Sequence, residues 1–194
     1  MLGLLGELAA ADLCGSIRTL VAVIQNNQIA CSIAQGWADL EQRVPNTTKS
    51  RHRLASLSKP IAAVLTMQLV EEDKVALGDS IRKLLPELPP RYGAVTIRRL
   101  LSHQKGIREY SDMSEVLSTR PYSSLEEAAR AIFVDSPLLF EPGAKTAYTT
   151  YGYTLLGAAL ERATGQSFKQ ILEARLPDFS LEDFGPLTPG RVRR

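Results

Sequence analysis

The chain has 194 residues, of which 44% are hydrophobic, and a net charge of +2 that arises from 23 basic and 21 acidic residues. This composition fits one domain of ordinary size, or part of a larger one, with a real apolar core. The charges are interspersed, which argues against nucleic-acid binding, and two cysteines with two histidines give neither a disulfide framework nor a zinc spacing. We therefore expect no metal and no nucleic-acid partner.

The first residues are apolar, and residues 2–13 are predicted to form a helix. No basic residue precedes this run, and Glu7 and Asp12 interrupt it, so it is not predicted to be a signal peptide. No stretch reaches the 18 or so apolar residues that a membrane span needs. The sequence leaves the compartment open.

Two β-rich runs follow, at residues 18–26 and 28–34, on either side of Asn26 and Asn27. Two such runs around a tight Asn-rich turn predict a β-hairpin. Residues 36–43 then lead into a polar loop, residues 45–50, which precedes a long helix.

That helix is predicted from Leu57, where the apolar period changes to 3.6 residues. The predicted buried face consists of Ile61, Val64, Leu65 and Leu69. Pro60 agrees with this placement, because a proline in the first turn of a helix leaves no hydrogen bond unmade.

Ser56 and Lys59 share a face at the start of this helix, because they are three residues apart. A serine hydroxyl becomes a good nucleophile when a nearby base removes its proton, and a lysine with a lowered pKa is one such base. The same S-x-x-K spacing also occurs at Ser80 with Lys83 and at Ser102 with Lys105. Spacing alone is therefore a weak signal, and only the first match opens a long amphipathic helix.

Five further helices are predicted after Lys74. They are residues 77–85; residues 96–107, stopped by Gly106; residues 124–134, with a capping box of Ser124 and Glu127; a helix after Tyr148 with the stripe Leu155, Leu156, Ala159, Leu160 and Ala163, ended by Gly165; and a helix capped by Ser167 and Gln170 that runs to about Leu176. A turn is predicted at residues 140–143.

Ser102 and His103 raise the alternative of a serine, histidine and aspartate triad. Adjacent residues on a helix do not face each other, and the sequence has no G-x-S-x-G elbow. His103 is therefore interpreted as a structural residue.

Five phrases occur in an order that resembles the serine β-lactamase-related proteins. They are Ala55-Ser-Leu-Ser-Lys-Pro60, Val70-Glu-Glu-Asp-Lys-Val75, Leu100-Leu-Ser-His103 with Gly106-Ile107, Phe140-Glu-Pro-Gly143 and Tyr148-Thr-Thr-Tyr-Gly-Tyr-Thr-Leu-Leu-Gly157. This group contains class C β-lactamases, penicillin-binding proteins and related esterases. The resemblance implies an α+β fold in which an N-terminal antiparallel hairpin precedes a mainly helical region, and a serine hydrolase that uses no cofactor.

The resemblance also implies roles for individual residues. Ser56 matches the acylated nucleophile, Lys59 its helix-borne partner, and Tyr148 the tyrosine that shuttles the serine proton. The alternative for Tyr148 is an ordinary half-buried aromatic. In the family, the backbone amide of the serine is one oxyanion donor and a late strand supplies the second.

Two departures from the family pattern affect the predicted function. The second motif usually reads Tyr-x-Asn, whereas Thr150 stands at its third position, as in the animal mitochondrial β-lactamase-like protein and some bacterial relatives. We interpret Thr150 as a substrate-binding residue. Because the threonine side chain lacks an amide group, the sequence favours a peptidase or esterase over a β-lactamase. The expected substrate is a small acyl, ester or peptide compound.

The second departure is the third motif, Lys-Thr-Gly or His-x-Gly, which is not found after Tyr148. The phrase Lys145-Thr-Ala147 precedes the tyrosine and does not replace it. We therefore expect residues 1–176 to form an incomplete domain that lacks the C-terminal strands, and residues 177–194 to form an irregular tail. Two functions stay open, a serine hydrolase that acts through a Ser56 acyl-enzyme and an inactive truncated remnant with at most a binding role.

Overall fold

The computed structural model describes residues 19–52, 54–116, 118 and 120–176. The predicted helix at residues 2–13 and the predicted tail at residues 177–194 lie outside the described residues. The described residues fall into two compact units, the first within residues 19–52 and the second within residues 54–176.

The first unit contains the predicted β-hairpin. Strands β1 (Thr19–Gln25) and β2 (Gln28–Gln35) pair in antiparallel register, from Thr19 opposite Gln35 to Gln25 opposite Gln28. Asn26 and Asn27 have φ angles of 50° and 60°, the left-handed conformation that a two-residue type I′ turn requires. The hairpin prediction is confirmed.

A second, short hairpin follows, which was not predicted. It consists of β3 (Trp37–Asp39) and β4 (Val44–Pro45). Asn46 comes directly after β4, and its Nδ2 donates hydrogen bonds to the carbonyl oxygens of Thr19 and Gln35 at 2.9 and 3.2 Å. This side chain therefore closes the open end of the first hairpin.

The second unit begins with a 3₁₀ turn, Ala55–Leu57, that leads directly into helix α1 (Ser58–Glu71). The prediction that Val64 belongs to the buried face is wrong, because Val64 is 49% exposed. The buried stripe instead runs through Lys59, Ala62, Leu65, Thr66 and Leu69. Burial of Leu65 and Leu69 stabilises the helix by roughly 1.5–3 kcal/mol each.

Six helices follow α1 in the described part of the second unit. They are α2 (Ile81–Leu84), α3 (Ile97–Leu101), α4 (Met113–Val116), α5 (Leu125–Ile132), α6 (Tyr151–Thr164) and α7 (Phe168–Arg175), with one further 3₁₀ turn at Pro90–Ala94. Helix α2 is shorter than the predicted residues 77–85, because Ser80 caps its start by accepting a hydrogen bond from the amide of Arg82.

Helix α3 ends earlier than predicted, at Leu101 and not near Gly106. The amide of Gln104 donates to the carbonyl of Arg99 at 2.8 Å, and the amide of His103 donates to the carbonyl of Leu100 at 3.3 Å. This pair of bonds is a Schellman motif, in which His103 takes the left-handed position with φ 60°. A histidine therefore ends the helix where a glycine was expected to do so.

The remaining caps largely follow the predictions. Gly165 ends α6 with φ 69°, and Ser167 with Gln170 forms a complete capping box at α7. Ser124 caps α5 through the amide of Glu127, but the Glu127 carboxylate accepts from Ser123 and not from Ser124. Only half of the capping box predicted there is therefore formed.

Helix α6 supplies side chains to two apolar clusters among the described residues of the second unit. Leu155, Leu156 and Ala159 pack with residues of α2, α3 and α5 in the larger cluster. Leu160 packs in the smaller cluster with Leu65 of α1 and residues of α7. Since α1 and α6 share this core, their first turns are held in place relative to each other.

A charged network holds the loop between α3 and α4 against α6. Arg108 makes a two-pronged ion pair with Glu115, with both N–O distances at 2.9 Å. The hydroxyl of Tyr151 donates to the same carboxylate at 2.7 Å. The network fixes the loop residue Glu109 beside the start of α6, where its carboxylate accepts from the amide of Thr150 at 2.5 Å.

Candidate active site

Ser56 lies on the 3₁₀ turn that precedes α1, and its side chain is exposed. Ala55 before it has a φ angle of 46°, a left-handed conformation that costs a residue with a Cβ about 1–2 kcal/mol. Strain of this kind persists only where the surrounding structure enforces it, and it clusters at functional sites.

Lys59 lies on the first turn of α1 and is buried. Its Nζ donates to the Oγ of Ser56 at 3.1 Å and to the Oγ1 of Thr150 at 3.5 Å. The lysine therefore links the turn before α1 to the residue that precedes α6.

Tyr148 lies in the extended segment before α6, and its hydroxyl is 2.6 Å from the Oγ of Ser56. The Lys59 ammonium, and then the Ser56 hydroxyl, lower the pKa of Tyr148 below its ordinary value of 10.0. The structure thus brings together Ser56, Lys59, Tyr148 and Thr150, the four residues that the sequence singled out.

The other two S-x-x-K matches do not form such a group. The hydroxyl of Ser80 donates to the carbonyl of Gly93, while Lys83 pairs with Asp79 at 2.8 Å. The hydroxyl of Ser102 donates to the carbonyl of Arg98. Both serines are therefore engaged in local backbone structure.

A cavity of about 430 Å³ adjoins the serine. It is lined by Leu54, Ser56, Leu57, Lys59, Pro60, His103, Tyr148 and Tyr153. Apolar and aromatic walls with a few convergent polar groups are typical of small-molecule sites.

Sequence reasoning gave no role in the site to Lys105 or Glu109, and it interpreted His103 as a structural residue only. Lys105 is completely buried, and burial lowers its pKa to about 8, an effect that the Glu109 carboxylate opposes. His103 lies beside the Tyr148 ring, and burial together with the charges of Lys105 and Lys59 lowers its pKa to about 4. The signal for Lys105 was its place within the phrase that resembles the family, between His103 and Gly106.

The described residues contain no group of three or more acidic, histidine or cysteine side chains that could hold a metal ion. Within the same residues, no helix is both long and apolar enough to cross a membrane.

Known proteins of similar sequence cover most of this chain. The probable fimbrial assembly protein FimD, serogroup H1, of Dichelobacter nodosus is 33% identical over 178 residues, which cover 88% of this chain and 43% of that protein. Esterase EstB of Burkholderia gladioli is 31% identical over 174 residues, which cover 81% of this chain and 44% of the esterase. The chain thus spans less than half the length of these relatives.

A solved structure agrees with the sequence relatives. The penicillin-binding protein from Bacillus halodurans superposes with a TM-score of 0.68 at 28% identity, over 78% of this chain and 46% of that protein. The sequence profile of the β-lactamase family matches residues 15–184, which includes the start of the segment predicted to be a tail. The fold, the order of the motifs and these matches agree, and the chain belongs to the β-lactamase family.

Proposed function

We propose that this chain carries the nucleophile side of a serine hydrolase that acts through an acyl-enzyme on Ser56. One observation carries the proposal: the Oγ of Ser56 lies 2.6 Å from the hydroxyl of Tyr148 and 3.1 Å from the Nζ of Lys59. A hydroxyl nucleophile within hydrogen-bond reach of a base and a cation has the arrangement that acyl transfer needs.

In this mechanism, the Oγ of Ser56 attacks the carbonyl carbon of the substrate while its proton passes to the phenolate form of Tyr148. Lys59 favours that phenolate, because its positive charge lowers the pKa of Tyr148. Tyr148 then gives the proton to the departing alkoxide or amine, which leaves an ester on Ser56. Water then attacks the ester carbonyl and gives its proton to Tyr148, which passes the proton to the Oγ of Ser56 as the bond to the acyl group breaks, so that the free serine and the carboxylic acid are formed.

The preferred substrates are esters or peptides with a small acyl group, and not β-lactams. Thr150 accepts a hydrogen bond from Lys59 and offers a hydroxyl to a substrate, but its side chain has no amide group with which to hold a carbonyl and an amine together. The apolar side chains of Leu54 and Leu57 line the cavity and suit an uncharged acyl group. The backbone amide of Ser56 supplies one oxyanion donor.

The test is stoichiometric labelling with a fluorescent fluorophosphonate, followed by peptide mapping. We expect one label per chain, on Ser56, and no label on the Ser56→Ala variant. Ser102→Ala is the matched control, because it removes the serine of another S-x-x-K sequence outside the site, and it should label normally. A label on another serine, or no label on the folded wild-type chain, would refute the proposal.

The second candidate is a catalytically inactive remnant with at most a binding role. One observation favours it: among the described residues, all four strands precede Ser56. The strand that supplies the second oxyanion donor in the family is therefore not among them. The folded chain would then bind acyl compounds in the cavity without reacting with fluorophosphonate.

A further inference from the structure

His103 contacts three consecutive residues of the segment that carries Tyr148. Its carbonyl accepts a hydrogen bond from the amide of Ala147 at 2.9 Å, and its Nδ1 lies 3.4 Å from the amide nitrogen of Thr149, which donates to it. Between these two bonds, the imidazole packs against the Tyr148 ring, with the ring centroids 4.6 Å apart and the planes inclined by 34°. Backbone and ring of one histidine therefore fix the residues before, at and after the tyrosine.

Lys105 holds the histidine in turn. Its Nζ lies 2.8 Å from Nδ1 of His103, and the lysine side chain has no exposed surface. An ammonium group has donors only, and so does the amide of Thr149, so Nδ1 must be the acceptor for both. The imidazole is therefore neutral, with its proton on Nε2.

The fold makes room for this buried lysine at a specific point. Gly152 lies on the first turn of α6, and a Cβ built there would be 2.2 Å from Cε of Lys105. The carboxylate of Glu109 is the negative charge that favours the ammonium form. A buried charge requires such compensation, because its burial without a partner would cost free energy.

On the basis of the function proposed above, we propose that His103 and Lys105 form a positioning pair, which holds the phenol of Tyr148 at the hydroxyl of Ser56. Neither residue exchanges a proton with the substrate. Lys105 keeps the imidazole in the Nε2–H tautomer, and the imidazole keeps the tyrosine ring and its flanking backbone in register with the serine.

Several charged or titratable groups face the imidazole, and the two lysines among them both lower the pKa of His103. Lys105 lies on the loop of His103, Lys59 approaches from α1, and the rings of Tyr148 and Tyr153 come from the segment that starts α6. Two ammonium groups disfavour an imidazolium. Protonation of His103 in acid would also replace the acceptor at Nδ1 by a donor and break the contact with Lys105.

A purely structural role for His103 would be to end α3, where it occupies the left-handed position. That role depends on the backbone and is indifferent to the tautomer. The ¹⁵N chemical shifts of the imidazole, which report the tautomer, therefore distinguish the positioning role from the purely structural role.

The first test is nuclear magnetic resonance of ¹⁵N-labelled full-length chain. The sequence has two histidines, so a His52→Gln variant assigns the signals of His103. We expect the Nε2–H tautomer at pH 7, a titration midpoint well below the ordinary value of about 6.5, and nuclear Overhauser effects between the imidazole and the Tyr148 ring. The Nδ1–H tautomer, or a midpoint near the ordinary value, would overturn the proposal whatever the reactivity of Ser56.

The second test is Lys105→Met, with Lys145→Met as the control because Lys145 is exposed near the same segment. We expect Lys105→Met to raise the pH midpoint of the His103 titration. It should also slow fluorophosphonate labelling of Ser56 by about 10- to 100-fold, because a small displacement of a catalytic group causes a rate loss of this size. Lys145→Met should change neither. Unchanged labelling in a folded Lys105→Met variant would refute the positioning role.

His103→Asn provides a second variant if Lys105→Met does not fold. Asparagine tolerates the left-handed φ angle and offers an acceptor to Lys105, but it removes the ring that supports Tyr148. We expect it to fold and to slow labelling, and normal labelling would refute the proposal. If wild-type Ser56 takes no label, the proposed hydrolase function fails, whereas the imidazole spectrum still decides whether the pair exists.

Discussion

Two groups lie close enough to take the proton of Ser56, and their distances to its Oγ and their charges distinguish them. Lys59 donates both to Ser56 and to Thr150, and an ammonium that donates in two directions has no lone pair with which to accept a proton. Tyr148 is the closer group, and Lys59 lowers its pKa. We therefore assign proton transfer to the phenol and charge stabilisation to the lysine.

This assignment predicts the effect of Tyr148→Phe. The variant keeps the ring that packs on His103 but loses the proton acceptor, so the rate of Ser56 labelling should fall by about 10²- to 10⁴-fold. The wild-type rate should rise with pH as Tyr148 loses its proton, at a pH below 10 because its pKa is lowered. Labelling rates measured from pH 6 to 10 should show this rise in the wild type and not in the variant.

Tyr122→Phe is the control, because it removes the hydroxyl of a tyrosine that packs beside Arg120. It should retain both the rate and its pH dependence. If Tyr148→Phe labels as fast as the wild type, the proton goes elsewhere, and Lys59 becomes the base.

At the scale of single residues, the sequence identified the groups that carry family motifs and missed their supports. Ser56 and Lys59 are close in the chain, and Tyr148 stands in a recognisable phrase. Glu109 carries no local pattern, and the pattern around Lys105 does not reveal its role, because the partners of both residues are set by packing across the fold. Lys105 was dismissed as a chance match with Ser102, since its burial against α6 is a tertiary property.

Helix α6 and the loop after α3 fit together through one glycine. Gly152→Ala would place a methyl group 2.2 Å from Cε and 2.8 Å from Nζ of Lys105, a side chain that is completely buried. Overpacking of this kind costs about 1–3 kcal/mol, against a gain of about 1 kcal/mol from the better helix propensity of alanine. We expect a net loss of stability in urea unfolding and slower labelling of Ser56.

Gly78→Ala is the matched control for this substitution, because nothing lies within 4 Å of a Cβ at that position. It should leave the labelling rate unchanged. A Gly152→Ala variant that is as stable and as reactive as the wild type would mean that Lys105 moves without consequence.

The loop between α3 and α4 depends on Glu115, which accepts from Arg108, Tyr151 and the amide of Ser111. Replacement by glutamine leaves the guanidinium without its carboxylate, and we expect a loss of about 1–3 kcal/mol at pH 7. Hydrogen bonds from Arg108, and then from Tyr151, lower the pKa of Glu115 below 4.5.

The sign of the pH dependence follows from that lowered pKa. The stabilisation by Glu115 is fully present above pH 4.5 and is lost as the pH falls through the pKa of the folded state. The difference in free energy of unfolding between the wild type and Glu115→Gln should therefore narrow below pH 4.5. Urea titrations at several pH values test this, with the exposed Glu71→Gln as control; a constant difference would contradict it.

At the scale of elements, local signals were sufficient where a cap or turn determines the outcome. The Asn26–Asn27 turn, the Gly165 stop and the capping box at Ser167 all have the predicted form. The end of α3 was not predictable in this way, because a histidine rarely takes the left-handed position of a Schellman motif. Val64 was misplaced because a four-residue apolar stripe does not fix which side of α1 faces α6.

At the scale of the whole molecule, the resemblance in sequence anticipated the fold, because five motifs in order restrict the topology far more than any helix period. The described residues supply the serine, the lysine and the tyrosine from one compact unit, residues 54–176. The chain spans less than half the length of the relatives it matches.

We expect this chain, expressed alone, to be acylated at Ser56 but to hydrolyse little or nothing. In the family, a late strand supplies the second oxyanion donor, and none of the described strands is that strand, because all of them precede Ser56. Loss of one oxyanion donor lowers the rate by about 10²- to 10³-fold. The third-motif cation that would help Lys59 to stabilise the phenolate is likewise not identified after Tyr148. Incubation with p-nitrophenyl acetate should therefore release at most one equivalent of p-nitrophenol per chain, with no steady-state release above the Ser56→Ala control. Sustained turnover above that control would show that the described residues, with the segments that flank them, suffice for deacylation.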